Sequence, residues 1–275
     1  MRKIGPVINP PETIKLYEAM HAKEPYQNVV VARDQKYGPH DRNRLDVFRA
    51  SEVASLKPVL IFLHGGGYEH GDKRTGTSPF YDNVMLWAVA NGMVGVNMTY
   101  RLAPAASWPA GTDDVAAAVA WTEANIKAYG GDPGRIFIFG HSAGATHVGG
   151  YLARGSSPAV KGGILLSGTF ALDPNAEQPG QKAYFGDTSL WSERSSIRGL
   201  ANSTVPLLVA HGEIDVPYYI KQAEALKTAL CEKGHCPTFV SLKDHSHMSE
   251  IYAVNTADMS LTSAIIALMK DAQQR

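Results

Sequence analysis

Neither sign of charge dominates this chain of 275 residues: Lys plus Arg number 26, Asp plus Glu number 26, and the formal net charge at pH 7 is zero. Such a balance sets up no long-range field for a polyanion or an anionic lipid surface, so neither nucleic acid nor a membrane is expected as a partner. Long apolar runs are missing too, and no stretch approaches the roughly 20 residues that span a bilayer. The opening Met1-Arg2-Lys3 is followed by Pro6, Pro10 and Pro11, which interrupt it before an apolar run of signal-peptide length can form. Cysteine is scarce. Cys231 and Cys236 have no second C-x-x-C and no nearby histidine pair, and read as two ordinary thiols rather than as a disulfide loop or half a metal site. Ordinary thiols fit a reducing, cytoplasmic setting.

What the chain does have is enough apolar residue, 44%, to bury one large core. Residues 1–275 are expected to form one domain, with 1–25 as an N-terminal segment in which Pro10 to His21 reads as a helix. Eight apolar runs read as strands: Asn28–Ala32, Arg44–Phe48, Val59–Leu63, Met93–Met98, Arg135–Phe139, Gly163–Leu166, Val205–Ala210 and Thr238–Leu242. Between the later runs lie helical patterns. Thr112-Asp113-Asp114 opens one whose Val115, Val119, Thr122 and Ile126 share a face, and Gly130-Gly131-Asp132-Pro133 stops it. Ile220, Ala223, Leu226 and Leu230 form a second such face, and Leu261, Ile265 and Met269 a third. Two opening strands joined around Tyr37-Gly38-Pro39, then strand-helix alternation, predict a mostly parallel sheet with an antiparallel edge. Ala171 to Leu200 breaks the alternation; it reads equally as a partial cap over a pocket or as an ordinary excursion anchored by Tyr184, Phe185 and Trp191.

Ligands on such sheets sit at the carboxyl ends of strands, and two glycine motifs fall there. Gly140-His141-Ser142-Ala143-Gly144 follows the run ending at Phe139. This is the G-x-S-x-G pattern of a strand-to-helix elbow whose neighbours must be small, and it makes Ser142 a candidate nucleophile. His64-Gly65-Gly66-Gly67-Tyr68 follows the run ending at Leu63, an H-G-G-G pattern that offers backbone N–H groups to an oxyanion. Either motif alone is an ordinary glycine turn often enough; together and in this order they point to acyl transfer.

A serine hydroxyl needs a histidine to take its proton and a carboxylate to orient that histidine, in the chain order serine, acid, histidine. Histidines before Ser142 are thereby excluded, His147 lies on the elbow helix pointing away, and His211 and His235 precede the last strand. His245 and His247 remain, in Asp244-His245-Ser246-His247-Met248-Ser249, and His247, next to the following helix, is favoured. For the acid, Glu213 and Asp215 follow the strand ending at Ala210. Asp215, just before Pro217 at the start of a helix, is favoured over a solvated Glu213, with Asp173 a weaker third. Tyr68, Phe80, Tyr184 and Trp191 are candidates for lining a pocket, Tyr68 and Trp191 foremost, each with core packing as the plainer reading.

His64-Gly-Gly-Gly67, Tyr100-Arg-Leu-Ala-Pro104, Gly131-Asp-Pro133, Gly140-His-Ser-Ala-Gly144, His211-Gly-Glu-Ile-Asp215 and the His247 loop resemble, in identity and order, the α/β-hydrolase fold carboxylesterases, including hormone-sensitive-lipase-like and arylformamidase-like enzymes. The resemblance runs from about Arg44 to the end, without the large N-terminal helical cap of the lipase-like branch. It implies an oxyanion hole made by the N–H groups of Gly66, Gly67 and Ala143, and a structural role for Arg101 and Asp114. The activity it implies is hydrolysis of small, largely uncharged carboxylic esters through an acyl-enzyme, with no cofactor or metal. An aryl-formamide hydrolase is the alternative; a non-catalytic receptor of the same fold is a third reading.

Overall fold

A computed structural model describes residues 1–8, 11–52 and 54–273. Its frame is one eight-stranded sheet built from β1 (Val29–Lys36), β2 (Arg44–Ala50), β3 (Lys57–Leu63), β4 (Val94–Met98), β5 (Gly131–His141), β6 (Val160–Leu166), β7 (Leu207–Gly212) and β8 (Thr238–Leu242). The strands lie in the order β1-β2-β4-β3-β5-β6-β7-β8. β1 and β2 form an antiparallel hairpin, β2 runs antiparallel to β4, and all pairings from β4 to β8 are parallel. The expected edge and parallel body are both present.

The central strands are apolar at every position because both faces are covered. Val59, Ile61 and Leu63 of β3 point into one layer with Ile136 and Ile138 of β5, while Leu60 and Phe62 point into the other with Phe137 and Phe139. The first layer is closed by the helices α3 (Ala110–Asn125), α4 (Ala143–Ala153) and α8 (Pro217–Glu232), the second by α2 (Asp82–Ala90) and α10 (Thr262–Gln273). In α3 the buried face carries Val115, Val119 and Thr122, with Ile126 buried in the 3-10 turn that follows, and Gly130 ends the run at a left-handed φ of 80°. On α8 the buried side is Tyr219, Ala223, Leu226 and Leu230; Ile220 is only half-buried. Leu261, Ile265 and Met269 are buried as their spacing predicts. Helix α1 (Pro11–Glu18) is shorter than the expected 10–21, and Pro10 lies outside the described residues. No described helix is long and apolar enough to cross a membrane.

Cys231 and Cys236 are joined in a disulfide, which overturns the reading of two ordinary thiols. The reason lies in how α8 ends: Lys233 and His235 N–H groups donate to the Leu230 carbonyl, Gly234 adopts φ +79°, and the chain doubles back until the two Cα atoms are 4.2 Å apart. A five-residue separation conceals this on paper.

Between β6 and β7 the chain forms three short helices, α5 (Gln181–Phe185), α6 (Trp191–Arg194) and α7 (Ile197–Ala201), before it returns to the sheet. Tyr184, Phe185 and Trp191 from this stretch pack with Tyr68, Ala103 and Ala143 into a separate aromatic cluster, and the Trp108 N–H donates to the Tyr184 carbonyl at 2.7 Å. The excursion therefore rests on the glycine-motif loops at the carboxyl end of the sheet. The last helix before α10 is α9 (Ser249–Tyr252), which follows the histidine loop.

Candidate active site

Strand β5 delivers the chain to Ser142, where the backbone takes φ 55° and ψ −123° before α4 starts at Ala143. That conformation is strained for any residue with a Cβ. It is held on both sides: β5 is paired with β3 and β6, and the Ser142 N–H donates to the Leu166 carbonyl at 2.8 Å. Gly144 is required by close approach, since a side chain there would strike the carbonyl oxygens of Leu63 and His64. The serine hydroxyl is thus lifted onto the carboxyl edge of the sheet.

There it meets the loop after β8. His247 Nε2 lies 2.9 Å from Ser142 Oγ, and His247 Nδ1 lies 3.0 Å from each oxygen of Asp215, which stands on the loop between β7 and α8. With Nδ1–H donating to the carboxylate, Nε2 is left to accept from the serine O–H, the tautomer that general-base catalysis needs. Burial works to raise the pKa of Asp215, but the adjacent His247 and hydrogen bonds from His247 and the Val216 N–H outweigh it and hold the carboxyl below its usual range. All three side chains are buried, Ser142 at 7% exposure being the most open.

The alternatives weighed in the sequence lie elsewhere. His245 Nε2 is 2.8 Å from Asp258 and its Nδ1 is 3.2 Å from Ser249 Oγ, so this ring braces the loop onto α9. Glu213 is solvated, bonded to Arg2 and to the Asp244 N–H. Asp173 is exposed and caps a turn through the Asn175 N–H. His147 is buried against Tyr100 and Tyr184, with both ring nitrogens unpartnered, and burial lowers its pKa to about 3. Arg101 donates to Asp114, which also accepts from Asn43, tying the β1–β2 hairpin to α3.

The H-G-G-G loop borders the serine from the β3 side. His64 is enclosed, its Nδ1 2.6 Å from the Gly65 carbonyl, and burial lowers its pKa to about 4; the neutral ring stacks on Tyr100 at 4.5 Å. Tyr100 in turn donates its hydroxyl to the His64 carbonyl at 2.9 Å, which fixes the direction of the loop. Gly66 sits at φ 132°, and a Cβ there would strike the His70 carbonyl oxygen. Among the described residues the N–H groups of Gly66 and Gly67 donate to no protein acceptor, and the Ala143 N–H is among the free donors at the start of α4. Three donors of this kind beside a nucleophile can receive a developing negative oxygen.

Aromatic and hydroxylated side chains surround these parts. Tyr68, at φ 69°, stacks on Tyr184 at 5.1 Å and donates to Thr146 Oγ1 at 3.3 Å. Gln181 of the excursion donates to the Tyr218 hydroxyl at 2.9 Å. Trp191 is fully enclosed, its indole N–H donating to the Gly186 carbonyl at 3.1 Å and its ring against Phe185. Phe80 is displaced from the expected pocket: it packs on Tyr252 at 3.9 Å in the opposite layer, under α2. Two residues near the site were missed. Tyr219 packs its ring 4.4 Å from His247, and Glu250 is buried three residues beyond that histidine. Tyr219 was hidden inside the apolar face of α8; Glu250 carried a signal, an acid one helical turn after a base.

His141, His247 and Glu250 place ligand atoms within 4.8 Å of one another, the one such group among the described residues. His247 Nδ1 is committed to Asp215 and His141 Nε2 to the His247 carbonyl at 2.8 Å, so two of the three donors are already spent on hydrogen bonds.

A BD-FAE family model matches residues 45–155, the part of the chain that carries both glycine motifs. Among curated relatives, esterase LipQ of Mycobacterium tuberculosis is 31% identical over 247 residues, covering 80% of this chain and 58% of LipQ. Esterase LipC of the same organism is 27% identical over 228 residues, covering 73% of this chain and 55% of LipC. Esterase B from Lactobacillus rhamnosis superimposes with a TM-score of 0.75 at 16% identity, over 96% of this chain and 92% of that one. The chain is an α/β-hydrolase, related by sequence to esterases. It spans little more than half the length of LipQ and LipC.

Proposed function

We propose that this α/β-hydrolase is a serine hydrolase of small, largely uncharged carboxylic esters. The observation that carries the reading is the unbroken chain of hydrogen bonds from Ser142 Oγ through His247 to Asp215. Ser142 attacks the ester carbonyl as its proton passes to His247 Nε2; Asp215 stabilises the imidazolium; the N–H groups of Gly66, Gly67 and Ala143 receive the oxyanion. The imidazolium then protonates the leaving alcohol, and water repeats the sequence on the acyl-serine. His247 rather than His245 holds its role because it bonds to Ser142, and Asp215 rather than Glu213 because it bonds to His247.

Tyr68 forms one wall of the substrate site through its contacts with Thr146 and Tyr184, and Trp191 shapes that wall from behind through Phe185. Residues 171–200 act as a small cap, and the chain works as a single domain. The rings of Tyr68, Tyr184, Phe185 and Trp191 form an apolar lining, in keeping with a largely uncharged substrate, while Arg154 and Arg194 cover the cluster from the Trp108 side. Relatives named as esterases support ester over formamide chemistry, and no feature of the site favours the formamide reading. With Cys231 and Cys236 joined in a disulfide, the chain has no free thiols that would favour a cytoplasmic setting. Turnover of p-nitrophenyl esters from acetate to decanoate, beside N-formyl anilides, tests the proposal: hydrolysis of short esters well above anilide hydrolysis is expected, and the reverse preference contradicts it.

A further inference from the structure

Glu250, on α9, has no part in the relay just described, yet it is fully buried and neither of its carboxyl oxygens has a hydrogen-bond partner among the described residues. Its Oε1 lies 3.4 Å from His141 Nε2, and a ring nitrogen of His141, a ring nitrogen of His247 and a Glu250 oxygen all fall within 4.8 Å of one another. Gly212 lies against it: a Cβ at that glycine would strike the His245 carbonyl oxygen at 2.5 Å and would sit 3.2 Å from Glu250 Oε2. The buried, unpartnered hydroxyl of Ser167 borders it, as does Asp215. The titratable groups facing this carboxyl are therefore His141 from β5, Asp215 from the loop after β7 and His247 from its own loop.

Two carboxyls around one imidazole in a water-poor interior do not both ionise. Asp215 is the ionised one, with both oxygens on His247 Nδ1 and a 2.6 Å hydrogen bond from the Val216 N–H. Burial, and then the charge on Asp215, push the Glu250 pKa well above the usual range. His141 is neutral as well, since burial and the neighbouring His247 lower its pKa to about 3. A neutral carboxyl thus lies within 4.8 Å of a His247 ring nitrogen, beside the ionised Asp215.

We propose that Glu250 is a reserve acid for His247, a positioning residue that stays protonated while Asp215 is ionised and becomes the counter-ion of the imidazolium when Asp215 cannot. The inference rests on Ser142, His247 and Asp215 acting as proposed above. The proton bookkeeping closes: in Asp215→Asn, the Glu250 proton leaves to bulk water as pH rises, while the proton on His247 Nε2 still comes from Ser142 Oγ and still goes to the leaving alcohol.

The test is a double-mutant cycle of Asp215→Asn and Glu250→Gln, read as pH profiles of kcat/KM on p-nitrophenyl butyrate, with Ser142→Ala in the same assay. A triad stripped of its acid loses about ten-thousand-fold. Asp215→Asn alone is expected to lose at least tenfold less than that, and its activity is expected to keep climbing with pH beyond the wild-type plateau. Adding Glu250→Gln abolishes the climb, so that this substitution costs at least tenfold more in the Asp215→Asn background than in the wild type. Equal cost in both backgrounds, or an Asp215→Asn profile parallel to that of the wild type, overturns the proposal. Should the double variant be unfolded by circular dichroism, the profile of Asp215→Asn decides alone. An inactive Ser142→Ala with an additive cycle sinks the reserve acid and leaves the triad standing; an active Ser142→Ala sinks both.

Discussion

The two sides of the site are built differently. Ser142, His247 and Asp215 hang from the ends of β5, β8 and β7, where strand pairing and backbone hydrogen bonds fix each loop, and Ser142 holds a φ of 55° that only such a frame sustains. The stretch opposite, residues 171–200, is a string of short helices whose aromatic rings hold it in place: Tyr184 stacks on Tyr68 and Phe185 meets Trp191 edge-on. Groups that must meet within 3 Å are placed by the sheet, and groups that need only exclude water and shape a pocket are placed by side-chain packing. The chemistry should therefore be brittle to substitution and the wall tolerant.

The largest effect lies on the sheet side. Ser142→Ala is expected to lower kcat by about a million-fold with an unchanged circular dichroism spectrum; activity within tenfold of the parent would break the comparison at its root. His247→Ala should lose at least about ten-thousand-fold, whereas His245→Ala, two residues away on the same loop, should stay within about tenfold, since it removes a brace to Asp258 and not the base. Reversed outcomes reassign the base. Gly67→Val has space, its Cβ position meeting nothing nearer than the Pro179 carbonyl oxygen at 3.6 Å, but a valine at φ 58° must move the backbone. A fall of about a hundredfold in kcat with little change in KM is expected; a raised KM at constant kcat would mean that the glycine only shapes the pocket.

On the wall side the expected effects are smaller and of another kind. Trp191→Phe deletes the indole N–H bond to Gly186 and some packing, so KM for longer esters should rise several-fold while kcat for acetate stays within about threefold. A collapse of kcat for acetate would show that the wall positions the chemistry after all. The smallest effect is thermodynamic. A carboxyl whose pKa is raised by folding binds its proton more tightly in the native state, so stability is fullest below the pKa of the unfolded chain and falls as pH rises toward the folded value. Glu250→Gln removes that slope, and its Tm should gain on the wild type from pH 5 to pH 8. A constant difference would place Glu250 outside this linkage.

The same contrast explains what could be read in advance. Strands such as Val59–Leu63 and Ile136–Phe139 are legible because a doubly covered parallel strand is apolar at every position, and the motif glycines Gly66, Gly140 and Gly144 are legible because a Cβ there would strike backbone. His247 and Asp215 followed from chain order and from their places next to helix starts. Phe80, Tyr219 and the Cys231–Cys236 disulfide did not follow, because which layer an aromatic ring enters and how a helix end doubles back depend on contacts between distant segments. The spacing of Glu250 after His247 was legible, but its burial was not, because an acid enclosed by the fold looks like any surface glutamate in the sequence.

The central claim, that Ser142 is a nucleophile activated by His247, is tested most directly by covalent labelling. A fluorophosphonate incubated with the purified protein, followed by peptide mass spectrometry, should give one phosphonyl group on Ser142, labelled at a rate that His247→Ala reduces and His245→Ala does not. Labelling at another residue, or esterase activity that survives with Ser142 unmodified after full exposure to the reagent, would contradict it.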